Sequence, residues 1–311
     1  MKSSATAVAR LGGVLRLFVG LLFVVSAVAK LVAVDAFEVY IFTYGFFPLT
    51  LSYLIARLCI VAELIIGVAL VAGLWPRLSV VAAALLTLAF TCFLCYAALS
   101  GRTDSCHCMG NLVEFNPVQS MVKNAILLLM LCGARFGTLW HWRPRWYWAA
   151  LLFVALAVVP FVISVPDNWR YRSAREVYNA ESLSRMLTTD DFADIAEGRH
   201  AVAFVTPGCG FCKLATEKML AIGRRHDIDA DRFVFISPRI DSTQTAVEAM
   251  TPGNFAYTLR QLPVNEFFNI TYGQRPLIML VEADSVVATY HLRNIDERQI
   301  AAWLNGSSNR Q

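Results

Sequence analysis

The stretch "HAVAFVTPGCGFCKLATEKMLAIGRR", residues 200–225, decides the fold of the C-terminal part of the chain. Its first residues, 200–205, are mostly apolar and predict a short buried strand. The Thr-Pro-Gly triplet at 206–208 predicts a turn. Cys209 then begins a predicted helix that runs to the end of the stretch. Cys209 and Cys212 therefore lie one turn apart at a helix N-terminus, directly after a strand.

This position suits a redox-active cysteine. The N-terminus of a helix carries a partial positive charge, which favours a thiolate at Cys209, and the thiolate is the form that attacks a disulfide. Cys212 is close enough to close a disulfide ring. The intervening Gly210-Phe211 adds no charge, so the direction of electron flow stays open. A permanent disulfide or half of a zinc site is the alternative, although such a zinc site needs two further ligands and none lies nearby in the sequence.

The elements predicted around this stretch follow a recognisable order. They are a linker with an amphipathic helix, a second strand, a hairpin and a closing helix, at 168–198, 232–238, 276–292 and 296–304. This order resembles the thioredoxin fold over about residues 200–305. The resemblance implies that Cys209 is the nucleophilic cysteine, that Cys212 is the resolving cysteine and that Pro276 is the cis-proline beside the active site. The sequence departs from that family in two ways: Pro207-Gly208 replaces the usual Trp, and the segment 239–275 is longer.

Composition divides the chain into an apolar part and a polar part. The whole chain is 57% hydrophobic and only 16% charged, against roughly 25% charged residues in an average soluble domain. Residues 1–165 carry 11 basic and 5 acidic side chains, whereas residues 166–311 carry 16 basic and 18 acidic ones. This asymmetry predicts a membrane domain followed by a soluble domain. No long basic run indicates a nucleic acid as partner.

Five segments are long and apolar enough to span a bilayer, which takes about 20 residues. They are 12–34, 50–74, 78–100, 118–138 and 146–165. An N-terminus on the cytoplasmic side puts most basic loop residues inside, namely Lys2, Arg10, Arg77, Arg135, Arg143 and Arg145. We therefore expect a multi-pass protein of the inner membrane with its C-terminal domain in the periplasm. The alternative for the first span is a signal peptide cleaved after Ala27-Val28-Ala29.

A second cysteine motif, "TDSCHCMGN" at residues 103–111, lies between the third and fourth spans. The predicted topology places Cys106 and Cys108 on the same oxidising side as Cys209 and Cys212. A disulfide between Cys106 and Cys108 would close a very small, strained ring, and strain makes a disulfide easier to reduce. The alternative is a metal site, because Cys106, His107 and Cys108 are soft ligands that suit Cu(I).

Several side chains within the predicted spans are candidates for function. Cys92 and Cys95 share a helix face in the outer half of the third span, where they either form a further redox pair or simply pack. Glu63 lies in the middle of the second span, and an intramembrane carboxylate indicates a functional site or a structural ion pair. Its candidate partners are Lys30 and Arg57.

The membrane part also resembles a known family. The motifs are "SAVAKL" at 26–31, "AELIIG" at 62–67, "DSCHCMG" at 104–110 and "VQSMVKN" at 118–124. Together they resemble the DoxX-like/MauE family of redox-associated membrane proteins. The resemblance implies a helical bundle that serves respiratory or disulfide-linked maturation outside the cytoplasm. It marks six motif positions: Lys30, Glu63, Cys106, Cys108, Gly110 and Asn124.

These observations predict an α-helical transmembrane bundle of five spans, four of them in the core, followed by an α/β thioredoxin-like extracytoplasmic domain. The expected domains are a DoxX/MauE-like bundle at 1–145, a fifth span with a linker helix at 146–198, and the thioredoxin-like domain at 199–311.

The expected function is that of a membrane thiol–disulfide oxidoreductase. Electrons pass between client proteins outside the cytoplasm, the Cys209/Cys212 pair, the Cys106/Cys108 loop and a membrane quinone, with Cys92/Cys95 as a further relay. No covalently bound cofactor is expected, and the partners are the lipid bilayer and the clients. The alternatives are a copper-handling membrane protein and a non-catalytic subunit of a respiratory or maturation complex.

Overall fold

The computed structural model describes residues 2–101, 115–137, 142, 144–171, 177–239 and 258–306. The chain divides into two compact units. The first comprises Met1–Tyr40 and Tyr53–Val165, and the second comprises Ile41–Ser52 and Pro166–Gln311.

The N-terminal part of the chain is helical. Its helices are α1 (Lys2–Val32), α2 (Val34–Thr43), α3 (Leu49–Ala72), α4 (Pro76–Leu99), α5 (Pro117–Ala134) and α6 (Trp146–Ile163). All except α2 are long and apolar enough to cross a membrane, with α1 counted from Val8. The five predicted spans are therefore confirmed, and the protein is a multi-pass membrane protein. The short helix α2 was not predicted.

The start of α5, the least apolar of the five spans, is fixed by a capping box. The Asn116 side chain accepts a hydrogen bond from the Gln119 amide at 2.8 Å, and the Gln119 side chain accepts one from the Asn116 amide at 3.1 Å. Pro117 occupies the first turn, where its missing N–H costs nothing. Two of the unsatisfied donors at this helix end are thereby paired.

Helices α1 and α3 pack with their backbones in near contact. A Cβ added to Gly67 of α3 would lie 2.9 Å from the Val24 backbone nitrogen and 3.0 Å from the Gly20 carbonyl oxygen of α1. A Cβ added to Gly20 would lie 2.9 Å from the Leu70 side chain. Small residues allow membrane helices to approach this closely, and the approach maximises dispersion contacts between them.

The C-terminal part of the chain contains a mixed sheet with helices around it. Its helices are α7 (Asp167–Arg170), α8 (Ala180–Leu187), α9 (Ala193–Ala196), α10 (Gly210–His226), α11 (Val264–Thr271) and α12 (Glu297–Leu304). Its strands are β1 (Arg199–Phe204), β2 (Phe233–Pro238), β3 (Thr258–Leu262), β4 (Leu277–Glu282) and β5 (Ser285–Tyr290). The predicted strand before Cys209, the helix after it, the second strand, the hairpin and the closing helix are all confirmed. The elements β3 and α11 were not predicted.

Strand β1 lies at the centre of the five-stranded sheet, whose order is β3-β2-β1-β4-β5. It pairs in parallel with β2, with Phe204 opposite Ile236, and antiparallel with β4, with Phe204 opposite Leu277. The apolar side chains of β1, β2 and β4 form a buried core with α8, α9 and α11. The rigid sheet therefore fixes the position of the loop that follows Phe204.

We predict that replacing Gly67 with Ala destabilises the membrane bundle. The added methyl group meets backbone atoms of α1, and overpacking of this kind costs about 1–3 kcal/mol. The measurement is the midpoint of thermal unfolding of the detergent-solubilised protein. The matched control is Val81→Leu, which adds one carbon at an exposed position of α4. Equal midpoints for the Gly67 variant and the control would contradict the close approach.

Candidate functional site

The loop between β1 and α10 positions the two cysteines of the C-terminal part. The Val205 amide donates to the Ile236 carbonyl at 2.9 Å, which extends the sheet by one residue beyond β1. The chain then turns at Gly208, whose φ of +74° is a conformation that only glycine adopts without strain. The Cys209 amide donates to the Thr206 carbonyl across this turn. The turn at Gly208 therefore places Cys209 at the start of α10.

Cys209 is the N-cap residue of α10. Its backbone is extended, and its sulfur accepts a hydrogen bond from the Cys212 amide at 3.3 Å. The sulfur therefore takes up one of the free N–H groups that every helix N-terminus leaves. Negative charge at this position is stabilised by the helix dipole.

Cys212 is in a different environment, because its side chain is completely buried. Its sulfur lies 3.5 Å from the Thr206 amide nitrogen and 3.7 Å from the Thr206 hydroxyl oxygen. Burial raises the pKa of the Cys212 thiol to about 12, and the hydrogen bond with Cys209 acts in the same direction, whereas the Thr206 amide lowers the pKa. The sequence predicted Thr206 only as a turn residue. Its contact with sulfur follows from the tertiary path of the loop.

Pro276 lies at the same end of the sheet as this loop. The peptide bond between Arg275 and Pro276 is cis, as the resemblance to the thioredoxin fold implied. Pro276 directly precedes Leu277, which is the register partner of Phe204 on β1. The cis-proline and the cysteine loop therefore extend from neighbouring, paired strands.

Cys209 is half-buried, and within the part of the chain that the structure describes the residues next to it are exposed. A Cβ added to Gly208 or Gly210 would meet no atom of the described residues within 4 Å, and the Phe211 side chain between the cysteines is 53% exposed. Arg275 is also exposed, with its guanidinium group 5.5 Å from the centre of the Phe268 ring. The exposed neighbours Gly208, Gly210 and Phe211 therefore leave room beside Cys209, as far as the described residues extend.

The second predicted cysteine motif lies outside the described residues. Cys106, Cys108 and Gly110 therefore remain predictions, and so does the alternative metal site of Cys106, His107 and Cys108. Cys92 and Cys95 both lie on α4, and both are exposed and carry free thiols. Their assignment as a further relay also remains a prediction.

The first unit contains a buried ion pair between α1 and α3. The Lys30 ammonium donates to the Glu63 carboxylate at 2.5 Å and to the Ser26 hydroxyl at 2.9 Å, and the Ser26 hydroxyl donates to the other Glu63 oxygen at 3.2 Å. Lys30 and Glu63 are 2% and 5% exposed. Of the two candidate partners of Glu63, the structure selects Lys30. A lone charge in a bilayer is costly, and pairing compensates the two charges directly.

Aromatic rings complete the surroundings of Lys30. Its ammonium group lies 5.7 Å from the centre of the Phe37 ring on α2 and 5.4 Å from the centre of the Phe90 ring on α4. Both distances are within the range of a cation–π interaction. The Lys30–Glu63 pair is thus contacted from four helices, α1 to α4.

The other polar residues of the bundle have partners that the sequence did not specify. The Asn124 side chain on α5 donates to the Thr91 hydroxyl on α4 at 3.1 Å. Arg57 pairs with Glu38 of α2 instead of Glu63, and it also donates to the Ser164 carbonyl at 2.7 Å. No pattern in the sequence indicates the Arg57–Glu38 pair, because the rotation of each helix about its axis is set by tertiary packing.

We predict that iodoacetamide labels Cys209 and leaves Cys212 unlabelled in the reduced, folded protein at pH 8. A thiol ionises only when the pH approaches its pKa, so Cys212, with a pKa of about 12, stays neutral, and burial also shields it. The measurement is the mass of the peptide that carries both cysteines. Cys212 should become labelled when the protein is unfolded, and equal labelling of the two cysteines in the folded protein would contradict the assignment.

Comparison with known proteins identifies the family. Residues 8–137 match the family described as "Methylamine utilisation protein MauE", so the predicted resemblance to this family is confirmed. The curated "Protein TlpB" of Flavobacterium psychrophilum is 30% identical to this chain, in an alignment that covers 73% of this chain and 77% of that protein. No solved structure matches the chain at a significant level. The chain therefore belongs to the MauE family of membrane proteins.

Proposed function

We propose that this protein is a membrane thiol–disulfide oxidoreductase with a thioredoxin-like C-terminal domain. The domain exchanges electrons with proteins outside the cytoplasm through Cys209 and Cys212. The observation that carries the proposal is the contrast between the two sulfurs: that of Cys209 is half-buried at a helix N-terminus, and that of Cys212 is fully buried against Thr206. The central strand before the motif and the cis-proline on the adjacent strand support the thioredoxin-like assignment.

The different environments of the Cys209 and Cys212 sulfurs assign a role to each cysteine. In the reducing direction, the Cys209 thiolate attacks a client disulfide, a Cys209–client bond forms, and the second client sulfur leaves as a thiolate. The Cys212 thiol then loses its proton and attacks Cys209, so that a Cys209–Cys212 disulfide forms and the first client sulfur leaves. The client gains two electrons and two protons, and the domain is oxidised. Disulfide formation in a client is the same sequence in reverse.

The Cys212 thiol has to ionise for the second step, because a neutral thiol does not attack a disulfide until it loses its proton. Burial opposes this ionisation, since it raises the pKa of Cys212. The Thr206 amide, 3.5 Å from the Cys212 sulfur, is positioned to stabilise the thiolate when it forms. Thr206 therefore acts as a positioning residue for the resolving step.

The electron path inward continues, in this proposal, through Cys106 and Cys108 to a membrane quinone. The strain expected in a Cys-x-Cys disulfide suits an electron acceptor. When the membrane pair is oxidised by quinone, two thiols lose two electrons and two protons, and the quinone becomes a quinol. The basic residues on one side of the predicted spans support the periplasmic placement of both cysteine pairs.

We predict that Cys212→Ser traps client proteins on Cys209. Without the resolving thiol, the Cys209–client bond cannot be released from within the chain, so mixed disulfides accumulate. The measurement is non-reducing electrophoresis of the protein purified from acid-quenched cells, followed by identification of the attached proteins by mass spectrometry.

Two controls complete this test. Cys209→Ser with Cys212→Ser should lose the mixed disulfides, whereas Cys132→Ser with Cys212→Ser should keep them, because Cys132 lies on α5 outside the proposed site. If the Cys212→Ser variant forms no mixed disulfides although its Cys209 still reacts with iodoacetamide, the proposed function is contradicted.

A further inference from the structure

The second compact unit contains a segment from the N-terminal part of the sequence. Ile41–Ser52 groups with Pro166–Gln311 rather than with the helices on either side of it in the chain. The segment reads "IFTYGFFPLTLS", and it comprises the end of α2, a turn and the first residues of α3. It therefore begins between the first and second membrane-spanning helices and continues into the first residues of the second, and it packs with the redox domain.

Two carbonyl groups of this segment are bound by one arginine. The Arg225 guanidinium group donates to the carbonyl oxygens of Gly45 and Phe47, both at 2.8 Å. Gly45 has a φ of +76°, which turns the chain at this point. Main-chain recognition of this kind depends on the path of the segment and not on its side chains.

The first amide of α3 is bound by a carboxylate. The Leu49 N–H donates to Glu297 Oε2 at 2.6 Å, and Leu49 is the first residue of α3. The first amides of a helix have no partner within that helix, and a negative charge there is favoured by the helix dipole. Glu297 thus caps a helix whose first residue lies 248 positions away in the sequence.

The Glu297 carboxylate also binds Arg225. Glu297 Oε1 lies 3.0 Å from Arg225 Nε and 3.0 Å from His226 Nε2, while Glu297 is only 5% exposed. The two carboxylate oxygens therefore bind different partners, because Oε1 contacts the end of α10 and Oε2 contacts the segment. We call Arg225, His226 and Glu297 the Glu297 latch.

The latch lies at the C-terminal end of the helix whose N-terminus carries Cys209. Two further bonds fix α10 to the region of α12: Lys218 donates to the Leu292 carbonyl at 3.0 Å, and Asn305 donates to the His226 carbonyl at 3.3 Å. Opposite ends of one helix are therefore used for thiol exchange and for binding the segment.

We propose that the Glu297 latch is a docking site through which the redox domain binds Ile41–Ser52. A domain that binds this segment is joined to the membrane-spanning part of the chain there as well as through its own linker. Under the proposed function, a second attachment raises the effective concentration of one thiol pair near the other and makes their exchange faster. The docking itself does not depend on that function.

The test is hydrogen exchange of the Leu49 amide in the full-length protein in nanodiscs. Glu297→Ala removes the acceptor, and a hydrogen bond to a charged group contributes about 1.5–3 kcal/mol, so we expect exchange at Leu49 to become roughly tenfold faster or more. The matched control is Glu282→Ala, which removes an equally charged carboxylate of the same domain that pairs with Arg199. The control should leave Leu49 protected.

A second variant separates docking from folding. Arg225→Lys keeps the charge but has a single ammonium group in place of the guanidinium that reaches both carbonyls and Glu297, so it should also accelerate exchange within Ile41–Ser52. Unchanged protection of Leu49 in Glu297→Ala would overturn the proposal, and so would equal acceleration in Glu297→Ala and Glu282→Ala.

The functional consequence has its own measurement. Client reduction by Cys209/Cys212 supplied with an external reductant should be unchanged in Glu297→Ala, whereas reoxidation of the pair through the membrane part should slow. If wild-type protein shows no thiol exchange, the proposed function fails while the hydrogen-exchange result still decides the docking. If it does show thiol exchange, equal reoxidation rates in wild type and Glu297→Ala would contradict the role of the latch in electron transfer.

Discussion

The hydrogen bond from the Cys212 amide to the Cys209 sulfur connects the chemistry of this protein to its fold. It exists because α10 begins directly after a turn from the central strand, and a helix start always offers unpaired amides. The same geometry puts Cys212 one turn inside the helix, where burial against Thr206 keeps its thiol neutral. One backbone feature therefore makes two identical side chains chemically different.

The membrane-spanning helices have to keep charged side chains away from lipid. Lys30 and Glu63 do so by forming an ion pair between α1 and α3, in which Ser26 also takes part. The pair lies at the interface where Gly20 and Gly67 allow the two backbones to approach closely. The two features support each other, because close helices shorten the distance that the ion pair must bridge. Replacing one partner alone would leave a buried charge uncompensated.

The sequence predicted the five spans, the strand before Cys209 and the helix after it, because each depends on local pattern, whereas the cis-proline was implied only by the resemblance to the thioredoxin fold. It missed β3 and α11, which are 5 and 8 residues long, since elements this short depend on neighbours such as β2 for their stability. It named Lys30 and Arg57 as candidate partners of Glu63 without deciding between them, it predicted Thr206 only as a turn residue, and it gave no sign of a role for Glu297. Their partners are set by contacts between distant parts of the chain, which one sequence does not display.

The proposed function depends most on electron exchange between Cys209/Cys212 and Cys106/Cys108 within one chain. The most direct measurement reduces the protein in membranes with a protein dithiol and follows both pairs over time by differential alkylation and mass spectrometry. We expect Cys106/Cys108 to become reduced as Cys209/Cys212 are reoxidised, and Cys209→Ser with Cys212→Ser to abolish this transfer. Two results would contradict the proposed electron transfer. One is reoxidation of Cys209/Cys212 with no change at Cys106/Cys108, and the other is reduction of Cys106/Cys108 to the same extent in the double variant as in wild type.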